Sequence, residues 1–382
     1  MNHWSLVCSG CGRTEAQDAR VGLCANCSQP FLARYDAGRP QRPTTSRWDM
    51  WRYADALPVA ADEIPVSLGE GCTPLIELPA LAREIGVRRV WVKDEGVNPT
   101  ASFKARGLSA AVTRARANRV KGLVVPTAGN AGAALAAYGA AAQVPVRVFA
   151  PETTPRPILD IVRAMGGNVE LELVPGHIGD AGRRSVAFAE ETGYFNVATL
   201  REPYRVEGNK TLGIELAEQL GWRLPDVIVY PTGGGEGVVG IWKAMLEMRE
   251  WGWLETNGKP ARLVVAQSAG CAPLVRAWEA GSDRATPWAD PVTHAAGLRV
   301  PGPLGDRLVL RALAETNGIA AAATEEEIRV STAHLAAMSG IDAAPEGGCA
   351  LAVTRKLVVE GKLAPSDEVV IFNTGSGASY RG

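Results

Sequence analysis

From residue 88 onward, short runs of β-branched and aliphatic residues alternate with longer Ala- and Leu-rich stretches of helical period. The runs at 90–93, 122–126, 146–149, 169–174, 227–230, 263–266 and 368–372 predict strands. Helices are expected to begin near residues 104, 130, 156, 178, 208, 237, 325 and 347. Strand–helix alternation of this kind calls for a mostly parallel sheet covered by helices on both faces. The strands are too many for one six-stranded sheet, so two α/β units are expected. Their seam is placed near 199–205, where Pro203 breaks the pattern. Residues 1–36 differ, with little apolar periodicity and a cysteine framework of their own. The stretch Arg39-Pro40-Gln41-Arg42-Pro43-Thr44-Thr45 reads as a linker. Trp48, Trp51 and Tyr53 read as a strap packed on the main body.

Composition narrows the class. The 382 residues allow about two to three domains at roughly 150 residues each. With 40 basic against 41 acidic residues, the chain has neither a nucleic-acid-binding field nor a polybasic membrane footprint. The 42 glycines follow no collagen-like period and point to tight turns and close backbone approaches. The most apolar stretch, 131–146, is mostly Ala and Gly, with Gln143 and Pro145 inside it. It falls short of the roughly 20 apolar residues of a spanning helix. The first residues lack a basic segment followed by an apolar run, so no signal peptide is read and a cytoplasmic enzyme is expected.

Four of the seven cysteines form Cys8-x2-Cys11 and Cys24-x2-Cys27, twelve residues apart. Two such pairs can each grip one edge of a tetrahedral ion, giving a closed structural zinc site in a knuckle or ribbon. Two disulfides or free thiols are the alternatives.

Three glycine clusters follow predicted strands: Thr127-Ala128-Gly129-Asn130-Ala131-Gly132, Thr232-Gly233-Gly234-Gly235-Glu236-Gly237, and Thr374-Gly375-Ser376-Gly377. The middle one opens a helix, where successive backbone N–H groups can converge on an anion; a plain tight turn is the alternative. Gly235-x-Gly237-x-x-Gly240 also fits the dinucleotide fingerprint. However, the next predicted strand ends in Gln267, where an acid should hold the ribose. Lys104 lies in Asn98-Pro99-Thr100-Ala101-Ser102-Phe103-Lys104-Ala105-Arg106-Gly107, an Asn-Pro turn entering a helix. The positive helix end and Arg106 both favour a reactive free amine there over an ordinary surface ammonium.

Asn98 to Gly107 resembles the cofactor-lysine motif of the fold type II, or tryptophan-synthase-β-like, pyridoxal-phosphate enzymes, and within them the threonine synthase family. Gly69-Glu70-Gly71-Cys72-Thr73-Pro74-Leu75 is similar to the family's opening motif. Thr127-Ala128-Gly129-Asn130 resembles its Ser-x-Gly-Asn turn, Tyr204-Arg205-Val206-Glu207-Gly208-Asn209-Lys210-Thr211 its next helix start, and Thr374-Gly375-Ser376-Gly377 its last glycine motif. Some members carry an N-terminal tetracysteine.

The resemblance implies two doubly wound α/β domains of fold type II plus a small N-terminal zinc module. It places that module at 1–36, an N-terminal half at 37–204 with a smaller mobile domain at about 108–204, and a larger domain at 205–382. It implies pyridoxal 5′-phosphate carried by Lys104, which would also move protons at the substrate α-carbon. Gly233, Gly234, Gly235, Glu236 and Gly237 would cradle the cofactor phosphate, with the Glu236 side chain turned away. Asn130 would meet the pyridine 3′-oxygen and Thr374 the pyridine nitrogen. Thr127, Ala128 and Gly129 would embrace the substrate carboxylate. Ser102, Arg106, Arg205 and Lys210 would face a substrate phosphate, although for Arg205 and Lys210 a solvated or ion-paired helix start is an equal reading.

The implied reaction converts O-phospho-L-homoserine and water to L-threonine and phosphate in a cytoplasmic homodimer. A β-eliminating or β-replacing enzyme, such as a threonine/serine dehydratase or a cysteate-synthase-like enzyme, is the alternative. Several departures bear on the substrate. The Gly233-Gly234-Gly235-Glu236-Gly237 loop is closer to the dehydratases, and Ala105 stands where an Asp is usual. Pro345-Glu346-Gly347-Gly348 and Ala378-Ser379-Tyr380 also differ from the family pattern.

Overall fold

The computed structural model describes residues 3–17, 20–35, 38, 40–254 and 260–381. Arg39 of the expected linker and parts of the 1–36 segment lie outside the described residues. Along the chain, strands β1 (Trp4–Cys8), β2 (Thr14–Glu15) and β3 (Phe31–Tyr35) come first, then β4 (Leu75–Glu77), α1 (Pro79–Ile85) and β5 (Arg89–Asp94). Next are α2 (Lys104–Ala117), β6 (Leu123–Pro126), α3 (Asn130–Ala142), β7 (Val146–Pro151), α4 (Arg156–Met165), β8 (Val169–Val174), α5 (Ile178–Thr192), β9 (Phe195–Asn196) and α6 (Tyr204–Gln219). The remainder holds β10 (Val227–Pro231), α7 (Glu236–Glu250), β11 (Arg262–Ser268), α8 (Pro273–Glu279), α9 (Asp306–Glu315), β12 (Ile319–Ala323), α10 (Glu325–Ser339), α11 (Pro345–Val359) and β13 (Glu368–Asn373). No described helix is long and apolar enough to cross a membrane.

Two compact units result: Met1–Cys72 with Asn98–Thr211, and Thr73–Val97 with Leu212–Arg381. In the first, β6 to β9 form a parallel sheet of order β8-β7-β6-β9. The cysteine hairpin is a three-stranded antiparallel sheet of order β2-β1-β3. Its period-two pattern buries Trp4, Leu6 and Cys8 on one face. That face is not a separate core. Trp4, Leu6, Phe31 and Ala33 pack in one cluster with Ala105, Leu108 and Val112 of α2 and Leu135 of α3.

The second unit is a sheet of order β12-β11-β10-β13-β5-β4, parallel except for the β4 edge. Linear boundaries at 36/37 and 204/205 do not describe this arrangement. β5 pairs with β13 along its whole length, which assigns residues 73–97 to the second unit. The expected seam near 199–205 is a helix start, and the division falls inside α6, because Tyr204 is buried in the first unit's core.

A buried ion pair ties β5 to the second half of α6. Lys93 Nζ donates to Glu215 Oε1, to Thr73 O at 2.7 Å and to Gln219 Oε1 at 2.8 Å. The side chains of Lys93 and Glu215 are 0% and 2% exposed, so the lysine's charge is met by protein groups alone.

Candidate active site

In the first unit, Lys104 is the first residue of α2. The turn before it places Thr100 and Ala101 at φ +59° and +58°, a left-handed pair of non-glycine residues of the kind concentrated at functional sites. Lys104 Nζ lies 4.0 Å from the centroid of the Phe103 ring. The side chain of Asn98 holds the turn from behind, its Oδ1 accepting the N–H of Gly71 at 3.0 Å. Gly71 is required there: its φ is +95°, and a Cβ would lie 2.7 Å from Met50 N.

Glu70 beside it is fully buried and gathers the same unit's helices and strap. It accepts from Trp51 Nε1 at 3.0 Å, the N–H of Leu68 at 2.8 Å and Tyr138 Oη of α3 at 2.6 Å. Burial, and then the Glu70 charge, push the Tyr138 phenol well above its ordinary pKa, so it stays a donor.

The turn after β6 presents Asn130 at the start of α3. Thr127 Oγ1 is used within this turn, donating to Gly129 O at 2.7 Å and accepting from the N–H groups of Gly129 and Gly132. The threonine thus shapes the loop from within, engaging both the N–H and the carbonyl of Gly129. Asn130 Oδ1 is buried and has no hydrogen-bond partner among the described residues, as does Ser102 Oγ. A buried polar atom left unpaired by the protein calls for a partner from outside the chain, a bound ligand or an ordered water.

The three basic side chains proposed for a substrate phosphate are deeply buried. Arg106 Nη1 donates to Thr211 Oγ1 at 3.1 Å, and Arg205 Nη1 to Val197 O at 2.8 Å. Lys210 is paired with Glu207 at 2.8 Å, both wholly buried. The ion-paired reading of Lys210 is therefore the one the structure displays.

In the second unit, the loop after β10 enters α7 with Gly235 at φ +90°. The N–H groups of Gly233, Gly234, Gly235 and Gly237 meet no carbonyl within the described fold, and they stand at the positive end of a 15-residue helix. The loop is closely backed: a Cβ on Gly233 would lie 2.1 Å from Gly297 O, and one on Gly237 2.1 Å from Tyr230 Oη. Such a loop can cradle a phosphate through backbone donors. Glu236 is 2% exposed. Thr374 is buried directly after β13, on a turn held where Asn373 Oδ1 accepts the N–H of Ala344.

Sequence reasoning did not single out a hub beside these elements. Glu346 Oε1 accepts the N–H of Gly297 at 2.8 Å and the Tyr380 hydroxyl. It thereby ties the segment behind Gly233 to the turn that follows Thr374. Burial pushes the Glu346 carboxyl above its ordinary pKa, against those two donors. The only advance signal was that Pro345-Glu346-Gly347-Gly348 departs from the family pattern.

The tetracysteine also assembles. The Sγ atoms of Cys8, Cys11, Cys24 and Cys27 all lie within 4.8 Å of one another, and none forms a disulfide. Burial raises the Cys24 thiol, but the N–H groups of Asn26 and Cys27 and the neighbouring thiols outweigh it and hold the pKa at about 7. The Gln29 N–H lowers Cys27, yet the other thiols and burial push it up to about 12. Thiols this close cannot all ionise without a shared cation, which is the donor set of a structural zinc site.

Residues 66–375 match the family described as pyridoxal-phosphate dependent enzyme. A threonine synthase of Methanosarcina acetivorans is 32% identical over 376 residues, covering 97% of this chain and 91% of the relative. A threonine synthase of Methanocaldococcus jannaschii is 31% identical with the same coverage. Among solved structures, maize serine racemase superposes with a TM-score of 0.68 at 22% identity over 80% of this chain and 88% of its own. A threonine deaminase from T.th. gives 0.66 at 24% over 80% and 92%. The chain therefore belongs to the pyridoxal-phosphate-dependent enzymes of fold type II and, within them, to the threonine synthase family.

Proposed function

We propose that the protein is a carbon–oxygen lyase that converts O-phospho-L-homoserine and water to L-threonine and phosphate. The observation that carries this reading is similarity to threonine synthases over 97% of the chain. Pyridoxal phosphate, when bound, would supply the electron sink that lets the substrate lose its α-proton, then a β-proton, whose electron pair expels the γ-phosphate.

The chain's own residues supply the rest. Lys104 holds the cofactor through Nζ and, once released, takes and returns the proton at the substrate α-carbon. The N–H groups of Gly233 to Gly237 bind the cofactor phosphate. Asn130 would donate from its amide Nδ2 to the pyridine 3′-oxygen, and Thr374 orients the pyridine nitrogen. The turn at Thr127, Ala128 and Gly129 binds the substrate carboxylate. Ser102, with its unpaired buried hydroxyl, is the readiest of the substrate-phosphate candidates. Cys8, Cys11, Cys24 and Cys27 hold a structural zinc ion. A homodimer is carried over from the resemblance, and light scattering tests it.

Two observations favour a second reading, β-elimination from threonine or serine. Lys210 is held by Glu207 within the protein, and the Gly233 to Gly237 loop is closer in sequence to the dehydratases. Incubation with O-phosphohomoserine, threonine, serine and O-phosphoserine, with and without sulfite, separates the readings. Phosphate release with threonine formation supports the first; keto acid from threonine or serine replaces it with the second. The purified protein is expected to be yellow, and Lys104→Ala to abolish that absorbance.

A further inference from the structure

The cysteine hairpin is the one motif that the proposed chemistry leaves without a task, and its far end reaches the buried heart of the first unit. β3 is zipped to β1 from Cys8↔Phe31 at the thiol end to Trp4↔Tyr35 at the other. Tyr35 Oη donates to Glu207 Oε2 at 2.7 Å, and Lys210 Nζ donates to Tyr35 Oη at 3.3 Å. Lys210 also lies 4.3 Å from the centroid of the Tyr35 ring. A second tie runs from Tyr204 Oη to Gln17 O at 2.7 Å, in the loop between the cysteine pairs. Glu207 and Lys210 are wholly buried, so the hairpin completes a charge network that water does not reach.

Between those two residues lies Gly208, where α6 meets the first turn of α2. A Cβ on Gly208 would stand 2.1 Å from Arg106 O and 2.8 Å from Gly107 Cα, and one on Gly107 would stand 3.0 Å from Arg205 O. Backbone touches backbone at this crossing, two residues from Lys104, and nothing soft lies between to absorb a shift.

The geometry points to Tyr35 as a positioning residue for Lys104. With the tetracysteine metal-loaded, the hairpin holds Tyr35 on the Glu207–Lys210 pair, and the pair fixes Gly208 of α6 against the turn that carries the lysine. This rests on the reading of Lys104 as the cofactor lysine and of the thiols as a metal site. A hydroxyl bound to a buried carboxylate is worth enough that its loss opens the local structure about tenfold more often.

The test compares wild type, Tyr35→Phe, and wild type stripped of metal by a chelator and then reloaded with zinc. Amide hydrogen exchange across residues 104–110 needs no cofactor and is read first. The pH profile of the cofactor absorbance and the separate kcat and KM values follow. Expected is exchange at 104–110 faster by about tenfold in Tyr35→Phe with its zinc retained, and the same change on metal removal, reversed by zinc. A shifted absorbance profile and lower kcat at near-constant KM complete the pattern. Lower melting temperature with exchange and absorbance unchanged would reduce the hairpin to a plain stabiliser and overturn the inference. Should Tyr35→Phe not fold, the metal arm decides; should the protein bind no zinc, the metal link is overturned. A colourless wild type with altered exchange would refute the cofactor reading and leave the coupling standing.

Discussion

A methyl group at position 237 would lie 2.1 Å from Tyr230 Oη and 2.4 Å from its Cζ. That ring is buried and packs on Phe372 at 5.2 Å between centroids, so it has little room to withdraw. Gly237→Ala is expected to lose about 1–3 kcal/mol and to loosen cofactor retention, both read by thermal unfolding with and without added pyridoxal phosphate. Glu346 makes a different kind of demand. Its raised pKa means that folding favours the protonated carboxyl, so stability is full at low pH and falls as pH climbs from the ordinary glutamate range to the folded value. Gln offers the same acceptor and does not titrate. Melting curves should place Glu346→Gln level with wild type near about pH 5 and above it near about pH 8; a deficit at the higher pH would show that the charged form is the one the fold holds.

These residues also mark what could be read in advance. Lys104, Asn130 and the glycines from 233 to 237 announce themselves because strand, loop and helix start are consecutive in the chain. Glu346 does not, because its partners Tyr380 and Gly297 are 34 and 49 residues away.

At the scale of elements, each strand expected after residue 88 is present within a residue or two of its expected bounds. The helices at 104, 130, 156, 178 and 325 begin where expected, and α6 starts at Tyr204 rather than near 208 because Glu202 caps it, accepting the N–H groups of Tyr204 and Arg205. β12 was not expected, since Ile319–Ala323 is almost all alanine, the strongest helix former. Its strand state is imposed by parallel pairing with β11. The short helices α1, α8 and α9 were likewise missed, since packing rather than periodicity sustains them.

Lys93 shows how much one element can depend on a single contact. Lys93→Met leaves Glu215 buried without its cation and is expected to cost about 3–5 kcal/mol in urea unfolding. Lys93→Met with Glu215→Leu should recover most of that loss. A single variant as stable as wild type would mean that the carboxylate is neutral or reached by water.

At the scale of the whole molecule, the cysteine hairpin and the sheet of the first unit share one hydrophobic cluster. Metal removal is therefore expected to lower the main calorimetric transition of the protein. A new, separate low-temperature transition would instead mean that the hairpin melts alone.

Strand order has a last consequence, for synthesis. β13 is inserted between β10 and β5, and Asn373 Nδ2 reaches Asp94 Oδ1 across 279 residues. At about 5–20 residues per second, β5 waits on the ribosome for on the order of tens of seconds before its central partner emerges. During that wait Val90 and Val92, fully buried in the finished sheet, lie on a strand whose long edge is unpaired. The long separation between β5 and its central partner therefore leaves this strand edge open for longest during synthesis, the condition under which an unpaired edge is exposed to wrong pairing.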